Sequence, residues 1–239
     1  MKLKQHIPNT ISLLNALFGA FSIYATLWCR NLELAIICML MAALMDFFDG
    51  FAARKLQAFS PLGKDIDSLS DTVSFGVAPS CMMLMALDAI DFALPALALI
   101  VVPASVYRLA KFNNDTRQTA TFIGLPTPAN ALLLAGLAFF TVTNADSITG
   151  APLSIVYKIM AIYPVIIVGL SYLLVSEVPM FSLKSSQGHS KTGHLIRVIC
   201  VVVSTLIGVL LWSFSGLAVG LGLYLLINLW DFLKGMIPE

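Results

Sequence analysis

Charged residues are scarce in this sequence. Lysine and arginine number 14 and aspartate and glutamate 13, so charged residues make up 11% of the 239 positions, whereas 59% are hydrophobic. Soluble domains carry about 25% charged residues. The composition therefore excludes an ordinary soluble domain and makes lipid the solvent for most of the chain. The formal net charge is only +1, so no basic excess indicates a nucleic-acid partner.

Cysteine and histidine are also rare, with four and three copies. Cys29, Cys38, Cys81 and Cys200 lie far apart within apolar segments and lack the paired spacing of zinc ligands. We interpret them as small hydrophobic residues. The sequence also has no repeat period, which excludes a solenoid.

Long apolar runs recur along the whole chain. Because a bilayer core requires about 20 apolar residues per helix, the runs predict an all-α, polytopic transmembrane helix bundle of about eight spans. The predicted spans are 8–29, 32–53, 66–87, 92–112, 124–144, 154–176, 195–212 and 214–233. The short gap near 213–216 leaves open that the last two form one re-entrant hairpin. We divide the chain into a transmembrane core (1–176), a cytoplasmic loop (177–194) and C-terminal transmembrane helices (195–239).

The basic residues predict the orientation. With the N-terminus in the cytoplasm, all but two of the 14 lysines and arginines lie near the cytoplasmic side, the exceptions being Arg30 and Lys158. The first apolar run is long enough to span and lacks a small-x-small cleavage site, so we expect a retained helix rather than a signal peptide. These features predict a multi-pass protein of the cell inner (cytoplasmic) membrane with both termini cytoplasmic.

Four aspartates stand in or beside the second and third apolar spans: Asp46, Asp49, Asp67 and Asp71. An aspartate near the centre of a membrane helix costs about 2.5–3.5 kcal/mol on insertion scales. Spacings of three and four place each pair on one helix face. Because a short loop joins the two spans, we expect the four carboxylates to converge near the inner membrane surface.

Divalent cations would relieve the repulsion within this cluster. All-oxygen ligation suits Mg²⁺ or Mn²⁺, and two such ions could clamp a pyrophosphate. Gly50, Ala53 and Gly63 leave space for a bulky ligand beside the aspartates, and Arg54 can bind a phosphate. A cation transporter is the alternative from another class, although transporters place such residues near the midplane, often in repeated halves.

The segment from Asp46 to Asp71 resembles the signature of the CDP-alcohol phosphotransferase family, D-x2-D-G-x2-A-R-x8-G-x3-D-x3-D, with all eight positions filled. The resemblance implies a helical membrane homodimer with two metals and the lipid donor CDP-diacylglycerol. It also implies that the four aspartates surround the metals and that Asp71 is the general base. The nucleotide-binding residues it implies are Gly50, Ala53, Arg54 and Gly63, with Asn9, Thr10 and Asn15 as further candidates.

Two later stretches resemble the bacterial and archaeal serine-specific members of that family. They are Arg108-Leu-Ala-Lys111-Phe-Asn113 and Phe122-Ile-Gly124-Leu-Pro126-Thr127-Pro128-Ala129. The resemblance implies L-serine as the acceptor, bound by Arg108, Lys111, Asn113 and Thr127. Lys111 is a departure, because the family usually has arginine there, and lysine lacks bidentate geometry.

Two alternatives stay open for this region. Arg108, Lys111 and Arg117 could instead anchor a helix end among anionic lipid headgroups. The acceptor could also be glycerol 3-phosphate or inositol phosphate, since a basic pocket suits those phosphates too. In the first span, Ser12, Asn15, Gly19 and Ser22 form a small and polar stripe that helix packing explains.

Overall fold

The structure, a computed structural model, describes residues 3–114, 122–180 and 191–235. Helices dominate these ranges, which confirms the predicted all-α class. The α-helices are α1 Leu3–Leu27, α2 Leu32–Leu56, α3 Pro61–Asp71, α4 Ala78–Ala89, α5 Val101–Asn114, α6 Thr127–Thr143, α7 Ala145–Thr149, α8 Leu153–Val175, α9 Lys191–Trp212 and α10 Gly216–Leu233. Two 3₁₀ segments, Pro95–Ile100 and Ser213–Ser215, precede α5 and α10.

Local sequence signals explain the turn between α2 and α3. The α2 helix ends at Leu56 and is capped by Gln57, which adopts a left-handed conformation with φ of 49°. Ser60 then caps α3, since its hydroxyl accepts a hydrogen bond from the Gly63 amide at 3.0 Å, and Pro61 occupies the first helical turn. Both α2 and α3 pack against α1. This arrangement brings the two aspartate-bearing helices to one surface of α1.

A π-helical turn, Thr72–Val77, joins α3 to α4 directly after Asp71. Such turns are rare and often occur at functional sites. Gly19 of α1 allows a close approach here, because a Cβ at that position would lie 2.8 Å from the Ser74 Cα. The Ser74 hydroxyl also donates a hydrogen bond to the Asn15 carbonyl at 2.9 Å. The π turn is therefore fastened to the middle of the first helix.

The eight predicted spans all fall largely within helices, and the protein is a multi-pass membrane protein. Within the described ranges, six helical stretches are long and apolar enough to cross a bilayer: His6–Leu27, Leu32–Leu56, Pro61–Ala89, Pro95–Asn114, Leu153–Val175 and Leu195–Leu233. The count differs from eight for two reasons. Thr127–Thr143 has only 17 residues, and the last stretch contains both α9 and α10.

The last two helices form an antiparallel hairpin. Close backbone contact near the bend joins Gly208 to Gly216, and Gly220 faces Thr205 further along. At the open end, Arg197 forms an ion pair with the buried Asp231. The α10 helix packs on α6, so the hairpin is attached to the bundle rather than separate from it.

A two-residue antiparallel ladder, Phe122–Ile123 with Pro179–Met180, adds a small feature that the helical pattern did not predict. Gly124 follows it with φ of +76°, and a Cβ there would lie 2.8 Å from the Ser176 carbonyl oxygen. The Gly124 amide donates to the Val178 carbonyl at 2.9 Å. These contacts fix the start of α6 against the end of α8. Most of the predicted loop 177–194, and Arg117, lie outside the described residues.

Candidate active site

Three of the four predicted aspartates lie close together. One carboxylate oxygen each from Asp46, Asp49 and Asp67 falls within 4.8 Å of the other two. Asp49 is buried, and the Ser12 hydroxyl donates a hydrogen bond to it at 2.6 Å. The buried Oδ1 of Asp67 has no hydrogen-bond partner among the described residues. This triad could therefore bind a divalent metal ion. It offers three carboxylate groups close together, and the Asp67 Oδ1 atom is buried without a hydrogen-bond donor.

Asp71 lies outside this triad and is buried to 8% exposure. The Asn15 amide donates to its Oδ1 at 3.0 Å. Asp46, Asp67 and Asp49 repel its carboxylate, while Arg108 attracts it. Asp71 thus interacts both with the acidic triad and with a buried cation.

A cavity of about 590 Å³ opens beside the triad, and we refer to it as the acidic cavity. Its wall contains Asp49 and Asp67 together with most of the predicted nucleotide-binding residues. The lining residues are Pro8, Asn9, Ser12, Asp49, Gly50, Ala53, Arg54, Ala58, Phe59, Ser60, Pro61, Gly63, Lys64 and Asp67. A volume of this size lies within the range of small-molecule binding sites.

The small residues of the motif create this space. A Cβ on Gly63 would lie 2.9 Å from the Asn9 Oδ1 and 3.0 Å from the Ser60 hydroxyl. The guanidinium of Arg54 runs alongside Gly50, where a Cβ would be in ordinary contact at 3.5 Å. The buried Asn9 Nδ2 has no partner among the residues the structure describes. The cavity therefore offers hydrogen-bond donors from Asn9 and Arg54 to a bound ligand.

Two predicted nucleotide-binding residues, Thr10 and Asn15, do not line the acidic cavity. Asn15 instead binds Asp71. Thr10 makes a contact within α1. Its hydroxyl donates to the His6 carbonyl of its own helix at 2.8 Å, and the residue is exposed. Sequence reasoning missed Ser12, which binds Asp49, and Lys64, which lines the cavity. The stripe containing Ser12 had been explained by packing alone, whereas it also orients a carboxylate. Lys64 directly follows the motif glycine, and this adjacency was the available signal.

Beyond Asp71 lies a second polar region, between α5 and α6. Arg108 is buried to 8% exposure, and its Nη1 donates to the hydroxyl of the fully buried Thr127 at 3.2 Å. The Nε of Arg108 has no partner within the described ranges. An arginine that anchors a helix end extends its guanidinium to the lipid headgroups at the membrane surface. Arg108 instead is buried among the helices, with one nitrogen unpaired. The geometry therefore favours ligand binding over anchoring for Arg108.

The other two predicted acceptor residues are already paired. The Lys111 ammonium lies 3.1 Å from the Glu177 carboxylate, and this ion pair is partly exposed. The Asn113 amide donates to the Ser68 hydroxyl at 2.6 Å, and the Asn113 carbonyl accepts from Lys64. These bonds tie the end of α5 to α3 and to the segment after α8. Acceptor binding by Lys111 and Asn113 stays a prediction. In the structure, both residues stabilise the end of α5 through these contacts.

Comparison with known families agrees with this geometry. The family model described as CDP-alcohol phosphatidyltransferase matches residues 5–226. That range contains the acidic cavity, Asp71, the Arg108–Thr127 pair and most of the C-terminal hairpin.

Three curated relatives illustrate the similarity. The CDP-diacylglycerol–serine O-phosphatidyltransferase of Bacillus subtilis is 38% identical over 135 residues, 56% of this chain and 76% of that protein. The archaetidylserine synthase of Methanothermobacter thermautotrophicus is 38% identical over 133 residues, 54% of this chain and 56% of its own. The CDP-diacylglycerol–serine O-phosphatidyltransferase of Mycobacterium leprae is 37% identical over 141 residues, which are 56% of this chain and 46% of that protein. The chain thus spans about half the length of the second and third relatives.

Proposed function

The chain belongs to the CDP-alcohol phosphatidyltransferase family, and we propose that it transfers the phosphatidyl group of CDP-diacylglycerol to L-serine, giving phosphatidylserine and CMP. The observation that carries this proposal is the acidic triad, of which Asp49 and Asp67 line the acidic cavity, together with the electrostatic interaction of its three aspartates with Asp71. The proposal includes the cytoplasmic placement of the site and a homodimeric assembly.

The acidic cavity would hold the nucleotide end of the donor. Arg54 and Lys64 offer positive charge to the pyrophosphate, and Asn9 offers an unpaired amide to a polar ligand group. A divalent metal, Mg²⁺ or Mn²⁺, held by Asp46, Asp49 and Asp67, would neutralise pyrophosphate charge and polarise the phosphorus. Gly63 and Gly50 keep the wall free of side-chain bulk so that the ligand can approach the backbone.

Asp71 is the residue we assign to proton transfer. The Asn15 amide fixes its carboxylate, which leaves the second oxygen available to accept the proton of the serine hydroxyl. The hydroxyl oxygen then attacks the phosphorus that carries diacylglycerol, and the bond from that phosphorus to the oxygen of CMP breaks. The charged groups that act on Asp71 are of both signs: the three aspartates of the triad repel its carboxylate, and Arg108 attracts it.

The chemistry around Arg108 supports serine over a phosphate-bearing acceptor. The buried groups there are one cation, Arg108, and neutral hydrogen-bonding side chains such as Thr127. Lys111, the nearest second cation on α5, is paired with Glu177. A dianionic phosphate buried from water requires more compensating charge than one guanidinium supplies. A zwitterion with a single carboxylate matches that charge.

Purified protein in mixed micelles provides the test. We expect CMP release from CDP-diacylglycerol to require both L-serine and Mg²⁺ or Mn²⁺, and a chelator should abolish it. Parallel reactions with glycerol 3-phosphate and inositol phosphate test the acceptor. Faster CMP release with either of these would replace serine as the acceptor but keep the chemistry. Metal binding without CMP release for any alcohol would reject the transferase and favour the transporter alternative.

A further inference from the structure

A set of buried polar atoms surrounds the Arg108–Thr127 pair without hydrogen-bond partners. Within the described ranges, Ser105 Oγ, Arg108 Nε and both side-chain atoms Nδ2 and Oδ1 of Asn130 are unpaired. Ser105 and Asn130 are fully buried, with 0% exposure. Buried polar groups in native structures are nearly always paired, so each exception requires a partner such as water or a ligand.

These side chains share two facing helix surfaces. Ser105 and Arg108 are three apart on α5, and Thr127 and Asn130 are three apart on α6, so each pair lies on one face. The hydrogen bond from Arg108 to Thr127 joins the two faces. We call this group of four, Ser105, Arg108, Thr127 and Asn130, the Arg108 chamber.

The π turn after Asp71 packs against the chamber at Ser105. A Cβ on Gly76 would lie 3.2 Å from the Ser105 Cβ and 3.6 Å from its hydroxyl. Ser105 therefore packs directly against the turn that carries Asp71 at its N-terminal end. The chamber and the assigned proton acceptor are parts of one packed unit.

We propose that Ser105 and Asn130 bind the acceptor and determine its specificity for a small α-amino acid zwitterion; this rests on the proposed function. Arg108 binds the carboxylate through its unpaired Nε. The Asn130 carbonyl and the Ser105 hydroxyl accept hydrogen bonds from the ammonium, because both are neutral acceptors. The Asn130 amide nitrogen is left to donate to the carboxylate. Neither residue belongs to the family signature or to the predicted acceptor set.

Buried water is the competing explanation for the unpaired atoms, since water would also satisfy them. The two explanations differ in what substitution changes. A ligand contact alters the KM for the acceptor, whereas a water-filled structural network alters folding stability and affects both substrates alike.

The experiment compares Ser105→Ala and Asn130→Ala with the matched control Thr141→Val. Thr141 is also fully buried, but it lies near the C-terminal end of α6, away from the chamber. Its hydroxyl forms a hydrogen bond with the Tyr163 hydroxyl at 2.7 Å. We expect each chamber variant to raise the KM for L-serine about 10-fold or more, because one hydrogen bond to a charged group is lost. The KM for CDP-diacylglycerol should stay within about twofold, and Thr141→Val should leave both constants near wild type.

Two serine analogues sharpen the test. 3-Hydroxypropionate lacks the ammonium and ethanolamine lacks the carboxylate. The wild type should prefer serine over 3-hydroxypropionate, and Asn130→Ala should reduce that preference about 10-fold. If Asn130→Ala does not fold, Asn130→Ser serves in its place, with melting temperature as the measure of folding.

The outcomes separate the two levels of the proposal. An inactive wild type, with no CMP release for any acceptor, would reject the proposed function itself. An active wild type whose chamber variants keep a serine KM within twofold, or lose serine and donor binding equally, would overturn the role of Ser105 and Asn130 alone.

Discussion

The acidic cavity and the Arg108 chamber are polar regions built from different residues, and they differ in almost every physical respect. The cavity contains charged groups, is lined by glycines and has a volume of about 590 Å³. The side chains of the chamber are buried; one of them is a cation and the other three are neutral and polar. The first suits a large, highly charged ligand and the second a small one of balanced charge.

The difference teaches how one carboxylate can serve two substrates. Asp71 is held by Asn15 from the first helix and attracted by Arg108 from the fifth. It therefore interacts with Arg108 of the chamber and, through charge, with the aspartates of the triad, two of which line the cavity. If the two regions have separate tasks, substitutions in the cavity should affect the donor, those in the chamber the acceptor, and those at Asp71 turnover.

The largest expected effect is at Asp71. Asp71→Asn keeps the size of the side chain but removes the proton acceptor, so turnover should fall about 10²- to 10⁴-fold. Both KM values should change little, because neither region loses a binding group. The rate of CMP release at saturating serine and CDP-diacylglycerol measures this.

Asp65→Asn is the matched control, since Asp65 is an exposed aspartate on the same helix. Its turnover should remain near wild type. Equal losses in the two variants would mean that negative charge on α3, rather than proton acceptance by Asp71, supports the reaction.

The second-largest expected effect is on the KM for serine when Arg108 is replaced by lysine or by alanine. Lysine retains the charge but not the guanidinium geometry, so Arg108→Lys should raise the KM for serine about 10-fold. Arg108→Ala should raise it further, since a hydrogen bond to a charged group contributes about 1.5–3 kcal/mol. Steady-state kinetics with serine varied at fixed CDP-diacylglycerol gives both values.

Lys111→Ala is the comparison within the same helix, because Lys111 is already paired with the partly exposed Glu177. We expect a smaller rise in serine KM than for either Arg108 variant. A larger rise would mean that Lys111 exchanges Glu177 for the substrate, and it would remove the distinction between the chamber and the exposed end of α5.

The cavity was the more predictable of the two regions. Its glycines, its arginine and both of its aspartates lie within the 26 residues from Asp46 to Asp71. Helical spacing alone indicated that each aspartate pair shares a face. Apolar run lengths likewise predicted the helical bundle. Local patterns of this kind report which residues lie on one side of a helix.

The chamber was harder to predict because it depends on contacts between helices. Ser105 and Asn130 are ordinary residues in apolar helices, and no spacing rule marks a buried side chain as unpaired. The π turn after Asp71 and the ladder at Phe122–Ile123 likewise depend on packing. Tertiary contact, which the chain pattern does not encode, decided these features.

The smallest expected effect tests the cavity wall at Gly63. Gly63→Ala places a Cβ 2.9 Å from the Asn9 Oδ1 and 3.0 Å from the Ser60 hydroxyl, so both must shift by a few tenths of an ångström. Because Asn9 lines the cavity, we expect the KM for CDP-diacylglycerol to rise about 3- to 10-fold while the KM for serine stays unchanged. Gly169→Ala is the control, since a Cβ there meets nothing within 4 Å, and alanine is the better helix former. A change in the KM for serine in Gly63→Ala would contradict separate tasks for the cavity and the chamber, because the substitution disturbs only contacts in the cavity wall.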